Sequence, residues 1–200
     1  MKRKPLKHTP VFEDELFAGR YAKKHAKMGR RFGNHYLKLI RNKHNTPIKI
    51  ADMGCGSGQT LITLGEQLKD CECIGIDLSG PLLKMAKETI AQTTISDRIQ
   101  FFQENVQSTS FENNTFDVTI NLNMLHLVDA PKCMLDEMER ITKPSGSIFM
   151  TDIRRSVLGY LEREFLSAFS LKEFTEAINR SRLRTGTISQ SLMWLNYVSG

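Results

Sequence analysis

Long apolar runs are missing from this 200-residue sequence. No stretch approaches the ~20 consecutive apolar residues that a membrane-spanning helix needs, so we expect no transmembrane segment. Basic residues at the N-terminus are followed by no apolar core, which argues against a secretory signal peptide. The composition, with 40% hydrophobic and 25% charged residues, is typical of a globular protein.

Cysteines with metal-site spacing are also missing. The four cysteines, Cys55, Cys71, Cys73 and Cys133, form no C-x-x-C pair, and the middle two are too close in sequence for usual zinc spacing. We therefore predict no metal site and reduced thiols, as expected for a cytoplasmic protein.

Acidic residues are outnumbered by basic ones, which gives a net charge of +6. Much of the excess lies near the N-terminus, in segments 2–7 and 20–31. A basic arm of this kind can attract nucleic acid, although it is more often a solvated surface. Because aromatic residues do not interleave with the basic ones as in a stacking platform, nucleic acid is a possible partner but not the favoured one.

A glycine-rich turn is the most informative feature that is present. Residues 48–60 read IKIADMGCGSGQT, in which an apolar strand ends at Asp52 and a helix opens at Gln59. Strand, glycine turn and helix form a geometry in which a ligand lies close against backbone at a helix N-terminus. The glycines between them can adopt positive φ and carry no Cβ that would block the ligand.

The glycine spacing favours a nucleoside ligand without phosphate. A dinucleotide fingerprint reads G-x-G-x-x-G, whereas this turn reads G-x-G-x-G and is followed by Gln59. Asp52 would repel a pyrophosphate but can hold a cationic amine. An ordinary strand–helix turn with no ligand is the alternative.

A second acidic residue, Asp77, ends the next predicted strand. It lies 23 residues after Gly54, near the ~20-residue offset at which a carboxylate meets ribose hydroxyls in a βαβ unit. The alternative is that Asp77 and Ser79 only cap the helix that begins near Pro81.

Predicted strands and helices alternate along the chain. The expected strands are 48–51, 73–76, 99–103, 116–120 and 147–151, and the helices between them are 59–68, 81–91 and 130–141. This alternation predicts the α/β class, with a doubly wound, mostly parallel seven-stranded sheet and helices on both faces. The remaining predicted elements are helices 12–28, 32–43, 158–168 and 171–181 and an antiparallel C-terminal hairpin formed by 187–190 and 193–198.

Six short segments resemble the class I S-adenosylmethionine (SAM)-dependent methyltransferases. They are DMGCGSG at 52–58, GIDLS at 75–79, FFQENV at 101–106, FDV at 116–118, LH at 125–126 and EMERITKPSG at 137–146. Each motif is weak alone, but six in the same order and at matching spacing are a strong resemblance. It implies methyl transfer with SAM as donor and S-adenosylhomocysteine as product.

The resemblance also implies a domain organisation. We expect one methyltransferase domain over residues 1–200, with a disordered basic arm at 1–10, N-terminal helices that close over the cofactor at 11–46, and a Rossmann-like core at 47–200.

Roles for individual residues follow from the same resemblance. Asp52 is expected to hold the methionine amino group, Asp77 the ribose, and Asn105 with Val106 the adenine. Asn105 departs from the family's usual Asp, but its side-chain oxygen can still accept a hydrogen bond, and simple turn chemistry is the alternative. The expected cofactor-binding residues are Asp52, Gly54, Cys55, Gly56, Gly58, Asp77, Leu78, Asn105, Val106, Asn121 and Leu122.

The acceptor side of the site has fewer signals. His126 is a candidate base and Asp152 a second catalytic candidate, since both follow predicted strands. Tyr21 is a candidate lid residue that contacts substrate. Arg154 and Arg155 can clamp a carboxylate or phosphate, or can instead pair with nearby carboxylates.

The Asn/Asp-Pro-Pro-Tyr/Phe signature of amino-group methylases is absent from the end of the fourth strand, where residues 121–124 read NLNM. This absence favours a small-molecule acceptor. An RNA or protein methyltransferase that uses the basic arm is the first alternative, and a SAM-binding module without catalysis is the second. An NAD-dependent dehydrogenase is a third, against which Gln59 already counts.

Overall fold

A seven-stranded sheet forms the centre of the computed structural model, which describes residues 3–4, 13–45, 48–156 and 164–200. Its strands are Ile48–Met53 (β1), Cys71–Asp77 (β2), Ile99–Gln103 (β3), Phe116–Leu122 (β4), Thr142–Ile153 (β5), Gly186–Gln190 (β6) and Trp194–Ser199 (β7). Their order across the sheet is β3-β2-β1-β4-β5-β7-β6.

The first five strands pair in parallel, and β7 pairs antiparallel with both β5 and β6. The predicted fold class and the C-terminal hairpin are therefore confirmed. The order of the strands reverses at β1: β2 and β3 lie on one side of it, and β4 and β5 lie on the other. The reversal therefore falls between the neighbouring strands β1 and β4. In doubly wound sheets such a reversal opens a crevice at the carboxyl ends of the two strands, where ligands bind.

Helices cover both faces of the sheet. They are Glu15–Lys43 (α1), Gln59–Gln67 (α2), Gly80–Ile90 (α3), Pro131–Ile141 (α4), Glu164–Ser167 (α5) and Leu171–Asn179 (α6). One apolar core joins α1, α2 and α3 to one face, and a second joins α4 and α6 to the other. Within β1, Ile50 belongs to the first core and Ala51 to the second. This alternation explains why the central strands are almost continuously apolar.

The first helix corrects the sequence analysis, which expected two N-terminal helices. A single helix of 29 residues begins after Asp14, whose side chain accepts from Phe17 N at 2.7 Å. Gly29 and Gly33 lie inside it, where glycine suggests a break. Both face α2 instead: a Cβ on either glycine would lie only 2.8 Å from the Cβ of Gln59 or Thr63. Glycine here permits close packing of two helices.

Two residues of the basic N-terminal arm contact the body of the protein. Lys4 N donates to Leu166 O at 2.9 Å, and Arg3 lies with its guanidinium carbon 4.0 Å from the centre of the Phe169 ring. A backbone hydrogen bond and a cation–π contact thus connect these two residues to the body, and the disorder expected for segment 1–10 stays a prediction. The rest of segment 1–10 lies outside the described residues, as does the first half of the helix expected at 158–168.

Across the described ranges, we find no helix with the length and apolar character that crossing a membrane requires.

Replacing a glycine of α1 that packs closely on α2 and replacing one that does not should have opposite effects on the free energy of unfolding. At Gly33, a Cβ would also approach the backbone oxygen of Thr60 to 3.1 Å. Overpacking costs ~1–3 kcal/mol against a helix-propensity gain of ~1 kcal/mol, so Gly33→Ala should lower the free energy of unfolding by about 1 kcal/mol. Gly19→Ala is the matched control, because its Cβ would meet only Met85 Cε at 3.6 Å. It should raise stability by up to ~1 kcal/mol.

Urea denaturation of the two variants measures both effects. Stabilisation by Gly33→Ala equal to that by Gly19→Ala would contradict the close-packing role.

Candidate active site

The glycine turn between β1 and α2 lies at the centre of the candidate site. Gly54, Gly56 and Gly58 have φ of +83°, +53° and +74°, as the sequence predicts. The backbone N–H groups of Gly54 and Cys55 donate to Ile76 O at 2.8 and 3.1 Å, which ties the turn to the end of β2. A Cβ at Gly58 would lie 2.8 Å from the Phe101 ring, so both its φ and its surroundings require glycine.

The carboxylate of Asp77 holds the glycine turn in place through hydrogen bonds. It accepts from Gly56 N at 2.8 Å and from Ser79 N at 2.9 Å. Burial raises the pKa of Asp77, while backbone N–H groups, including these two, lower it. The capping alternative holds for Ser79, whose Oγ accepts from Leu82 N at 3.3 Å. Asp77 therefore serves the turn as well as the helix, and lone pairs of its oxygens remain for a ligand.

Burial makes the charged form of the Asp52 carboxyl group unfavourable. It is 1% exposed at the end of β1 and lines a cavity beneath α1. Burial, and secondarily the charge of Asp77, raises the pKa of Asp52 to about 8. Without a partner, Asp52 is therefore mostly protonated at neutral pH.

Three buried oxygens at this crevice accept no hydrogen bond. They are Asp52 Oδ1, Asn121 Oδ1 and Asn123 Oδ1, and they are the buried side-chain polar atoms without a partner in the part of the chain that the structure describes. Asn121 is oriented by its Nδ2, which donates to Met53 O at 2.6 Å. Unpaired buried acceptors cost free energy until a donor reaches them. An ammonium group carries three donors and a positive charge, so the amino end of SAM fits this set.

The N-terminal half of α1 covers the cavity. Tyr21, His25 and Met28 line it from above, opposite Asp52 and the glycine turn. The Tyr21 and His25 rings stack on each other with centroids 4.0 Å apart. Tyr21 thus lines the cavity, whose volume is about 60 Å³, and its role as a lid residue rather than a packed amphipathic side chain stays a prediction.

The loop after β3 matches the expected adenine site only in part. Asn105 Oδ1 accepts from Gln107 N at 3.0 Å and from Gln107 Nε2 at 3.2 Å. The side-chain oxygen expected to meet adenine is therefore engaged within the turn, as in the turn-chemistry alternative, and its contact with adenine stays a prediction. Val106 is 1% exposed and packs into the core of the α4 face, so it anchors the loop. Leu78 is 41% exposed beside Asp77 and presents an apolar surface.

His126 and Asp152, predicted separately, form one buried pair. His126 Nδ1 lies 2.6 Å from Asp152 Oδ1, and His126 N donates to Asp152 Oδ2 at 2.8 Å. Asp152 Oδ1 also accepts from Ile153 N at 2.8 Å. The described residues that line the cavity under α1 include neither member of the pair. The pair ties the segment after β4, which carries Asn123, to the end of β5.

The two arginines after β5 are engaged within the protein. Arg155 Nη2 forms an ion pair with Glu173 at 2.6 Å, and Arg154 Nη1 donates to Ser191 O at 3.0 Å. The structural alternative is therefore the better description of Arg155, although its partner is Glu173, a residue that sequence proximity does not suggest. A clamp of two free guanidinium groups is not formed.

Asn123, which the sequence places at the end of the fourth strand facing the site, lines the cavity and has a positive φ of 56°, which Asn tolerates better than most residues. The sequence analysis gave no site role to the remaining lining residues, which are Ala22, His25, Met28, Gly29, Ser57, Gln59 and Thr60. Those on α1 carry no local signal, because only the packing of α1 on α2 brings them over the crevice.

A family model described as "Methyltransferase domain" matches residues 50–146. Demethylmenaquinone methyltransferase of Lactiplantibacillus plantarum is 35% identical over 114 residues, which cover 56% of this chain and 46% of that protein. Ubiquinone biosynthesis O-methyltransferase of Aliivibrio fischeri is 27% identical over 114 residues, covering 56% and 47%. The chain thus spans about half the length of the curated relatives it matches.

Solved structures share the fold at low identity. Geranyl diphosphate C-methyltransferase from Streptomyces coelicolor has a TM-score of 0.70 at 15% identity, covering 98% of this chain and 89% of that one. A SAM-dependent methyltransferase from Aquifex aeolicus has a TM-score of 0.68 at 17% identity, covering 80% and 86%. Residues 50–146 are therefore similar to a methyltransferase domain, and the chain shares its overall fold with SAM-dependent methyltransferases of known structure.

Proposed function

We propose that this chain transfers a methyl group from SAM to a small-molecule acceptor. The observation that carries the proposal is the set of three unpaired buried oxygens on Asp52, Asn121 and Asn123 beside the glycine turn. These atoms match the donors and charge of an amino-acid ammonium group. When bound, SAM supplies an electrophilic sulfonium methyl, and the chain has to bind, orient and exclude water.

Each part of the cofactor has a candidate partner in this proposal. Asp52, with Asn121 and Asn123, holds the ammonium group. Asp77 accepts from the ribose hydroxyls through lone pairs not used by the turn. The exposed side chain of Leu78 packs on the adenine, which is also contacted by Asn105 and Val106.

His126 and Asp152 act in this proposal by positioning. The carboxylate holds both the ring and the backbone of His126, and so keeps the loop after β4 in the conformation that points Asn123 into the cavity. For a hydroxyl or carbon acceptor, which needs a base, His126 is the first candidate, since its Nδ1 bond to Asp152 leaves Nε2 for the proton.

The small-molecule acceptor has two supports. The segment after β4 lacks the amino-group methylase signature. The matched relatives are named for methylation of demethylmenaquinone and for ubiquinone biosynthesis, and these names point to small-molecule acceptors. Against the RNA or protein alternative, Arg3 of the basic arm donates to Ser167 O at 2.7 Å and to His126 O at 3.1 Å and so is engaged within the chain. We also propose a cytoplasmic location, on the basis of four free cysteines.

Methyl-labelled SAM tests the function directly. Purified protein is incubated with labelled SAM and a cell extract, and the small-molecule, RNA and protein fractions are separated before counting. We expect label in the small-molecule fraction. Label that nuclease or protease releases from the macromolecular fraction would contradict the proposed acceptor class, and tight SAM binding without transfer to any fraction would indicate a module without catalysis.

Asp77→Ala should weaken SAM binding by more than about tenfold, because a charge-assisted bond to ribose and the support of the turn are both lost. Asp70→Ala is the matched control. Asp70 directly precedes β2 and so lies at the opposite end of that strand from Asp77. Calorimetric titration measures both affinities, and circular dichroism checks that each variant is folded. An affinity for Asp77→Ala equal to that of the control would refute the ribose role.

The affinity for S-adenosylhomocysteine should depend on pH through Asp52. The pKa of Asp52 is about 8. Below this value the carboxyl must lose a proton before it can hold the ammonium. We therefore expect the affinity to rise by about tenfold per pH unit from roughly pH 6 until the pKa is reached. Asp52→Asn should bind more weakly and lose this slope.

Titrations in buffers of different ionisation enthalpy give the number of protons released. Close to one proton is expected at pH 7 for the parent and none for Asp52→Asn. The same proton release from both proteins would assign the titration to another group.

A further inference from the structure

A second cavity lies between α1 and β7, closer to the C-terminus of α1 than the lid residues. We call it the α1–β7 groove; its volume is about 310 Å³. This volume is at the lower end of the roughly 300–1,000 Å³ that small-molecule sites occupy. Phe32 and Trp194 form its aromatic wall, with ring centroids 4.8 Å apart in an edge-to-face arrangement. Such a wall suits a planar aromatic ligand.

The groove carries positive charge that nothing within it neutralises. Arg31, His35 and Lys38 line it, and the described lining residues include no Asp or Glu. Neither Arg31 nor Lys38 has an ion pair or hydrogen bond with any residue in ranges 3–4, 13–45, 48–156 and 164–200. Burial, and then the charge of Lys38, lowers the pKa of His35 and keeps its ring neutral. Two free cations beside an aromatic wall favour an aromatic anion.

The groove and the cofactor cavity lie near the two ends of one row of residues across the sheet. Leu122 of β4 is in register with Thr151 of β5, and Thr151 is in register with Asn196 of β7. Leu122 lines the cofactor cavity, and Asn196 lines the groove. Two strand spacings separate them, which is about 10 Å. Thr151 contacts both sides, since its Oγ1 donates to Asn196 at 3.0 Å and its backbone oxygen accepts from Asn123 N at 2.7 Å.

We infer that the α1–β7 groove binds the methyl acceptor, and that this acceptor is a small aromatic carboxylate. Its carboxylate would lie between Arg31 and Lys38 and its ring against Trp194, with the rest of the molecule directed along the Leu122–Thr151–Asn196 row towards the cofactor. The inference deepens the proposed function and rests on it, because it names the substrate class of the same site.

The chain has one tryptophan, Trp194, and it lies in the groove. Its fluorescence therefore reports occupation of the groove in the unmodified full chain. The probes are 4-hydroxybenzoate and its neutral analogue 4-hydroxybenzamide, and calorimetry is run in parallel. We expect 4-hydroxybenzoate to quench Trp194 and to bind about tenfold more tightly than the amide, because only the carboxylate forms charge-assisted bonds.

Variants that remove one positive charge from the groove test where the carboxylate of the ligand binds. Arg31→Gln and Lys38→Gln should each weaken 4-hydroxybenzoate by about five- to tenfold and leave the amide unchanged. Lys27→Gln is the matched control, because it removes the same charge from an exposed position of α1 outside the groove. Equal affinity of the two probes, or equal effects of Lys27→Gln and the groove variants, would overturn the inference. A short RNA that binds the groove more tightly than either probe would overturn it in favour of nucleic acid.

A separate measurement of S-adenosylhomocysteine binding distinguishes failure of the groove assignment from failure of the proposed methyltransferase function. If it binds while neither probe does, the groove assignment fails and the methyltransferase proposal is unaffected. If it does not bind while 4-hydroxybenzoate quenches Trp194, the proposed function fails and the groove remains a site for aromatic anions.

Discussion

The carboxylate of Asp52 is buried at the end of the central strand β1, where its removal from water is costly unless a cation approaches it. The rest of the site is arranged around this carboxylate. The glycine turn begins two residues later, and Asn121 and Asn123 bring two more unpaired oxygens from the neighbouring strand. A fold without a ligand to satisfy them would gain stability by replacing these groups with apolar ones. Their presence is the physical reason to read this crevice as a binding site.

Helix α1 completes the site because two glycines let it approach α2 closely. The close contact at Gly29 and Gly33 sets the direction of the helix, so that its N-terminal half carries Tyr21 over the crevice and its C-terminal half packs on the sheet. Tyr36, in that second half, donates to Asn121 O at 2.9 Å. The lid and the floor of the site are therefore connected by a hydrogen bond through the core.

Local sequence patterns were sufficient for the strands, the glycine turn and the fold class, because periodicity and positive-φ glycines act over a few residues. They failed where a residue's role depends on distant partners. The sequence analysis divided α1 into two helices, because the packing of Gly29 and Gly33 on α2 cannot be read from local sequence. For Asn105 the sequence left adenine binding and turn chemistry open, and its oxygen is engaged by Gln107 two residues later. For Arg155 the sequence left an acceptor clamp and a surface ion pair open, and the partner that α6 brings to it, Glu173, was not among those expected. The sequence analysis counted Arg31 in a basic segment that is more often a solvated surface and did not single out Lys38, because only the fold brings both beside Trp194.

One rigid helix forms a wall of both the cofactor cavity and the α1–β7 groove. Any displacement of α1 would therefore change the shape of both cavities. If a ligand in one cavity changes the affinity of the other cavity for its ligand, the second ligand must change the affinity for the first by the same factor. Communication between donor and acceptor is in this way a property of the helix, and it requires no separate signalling element.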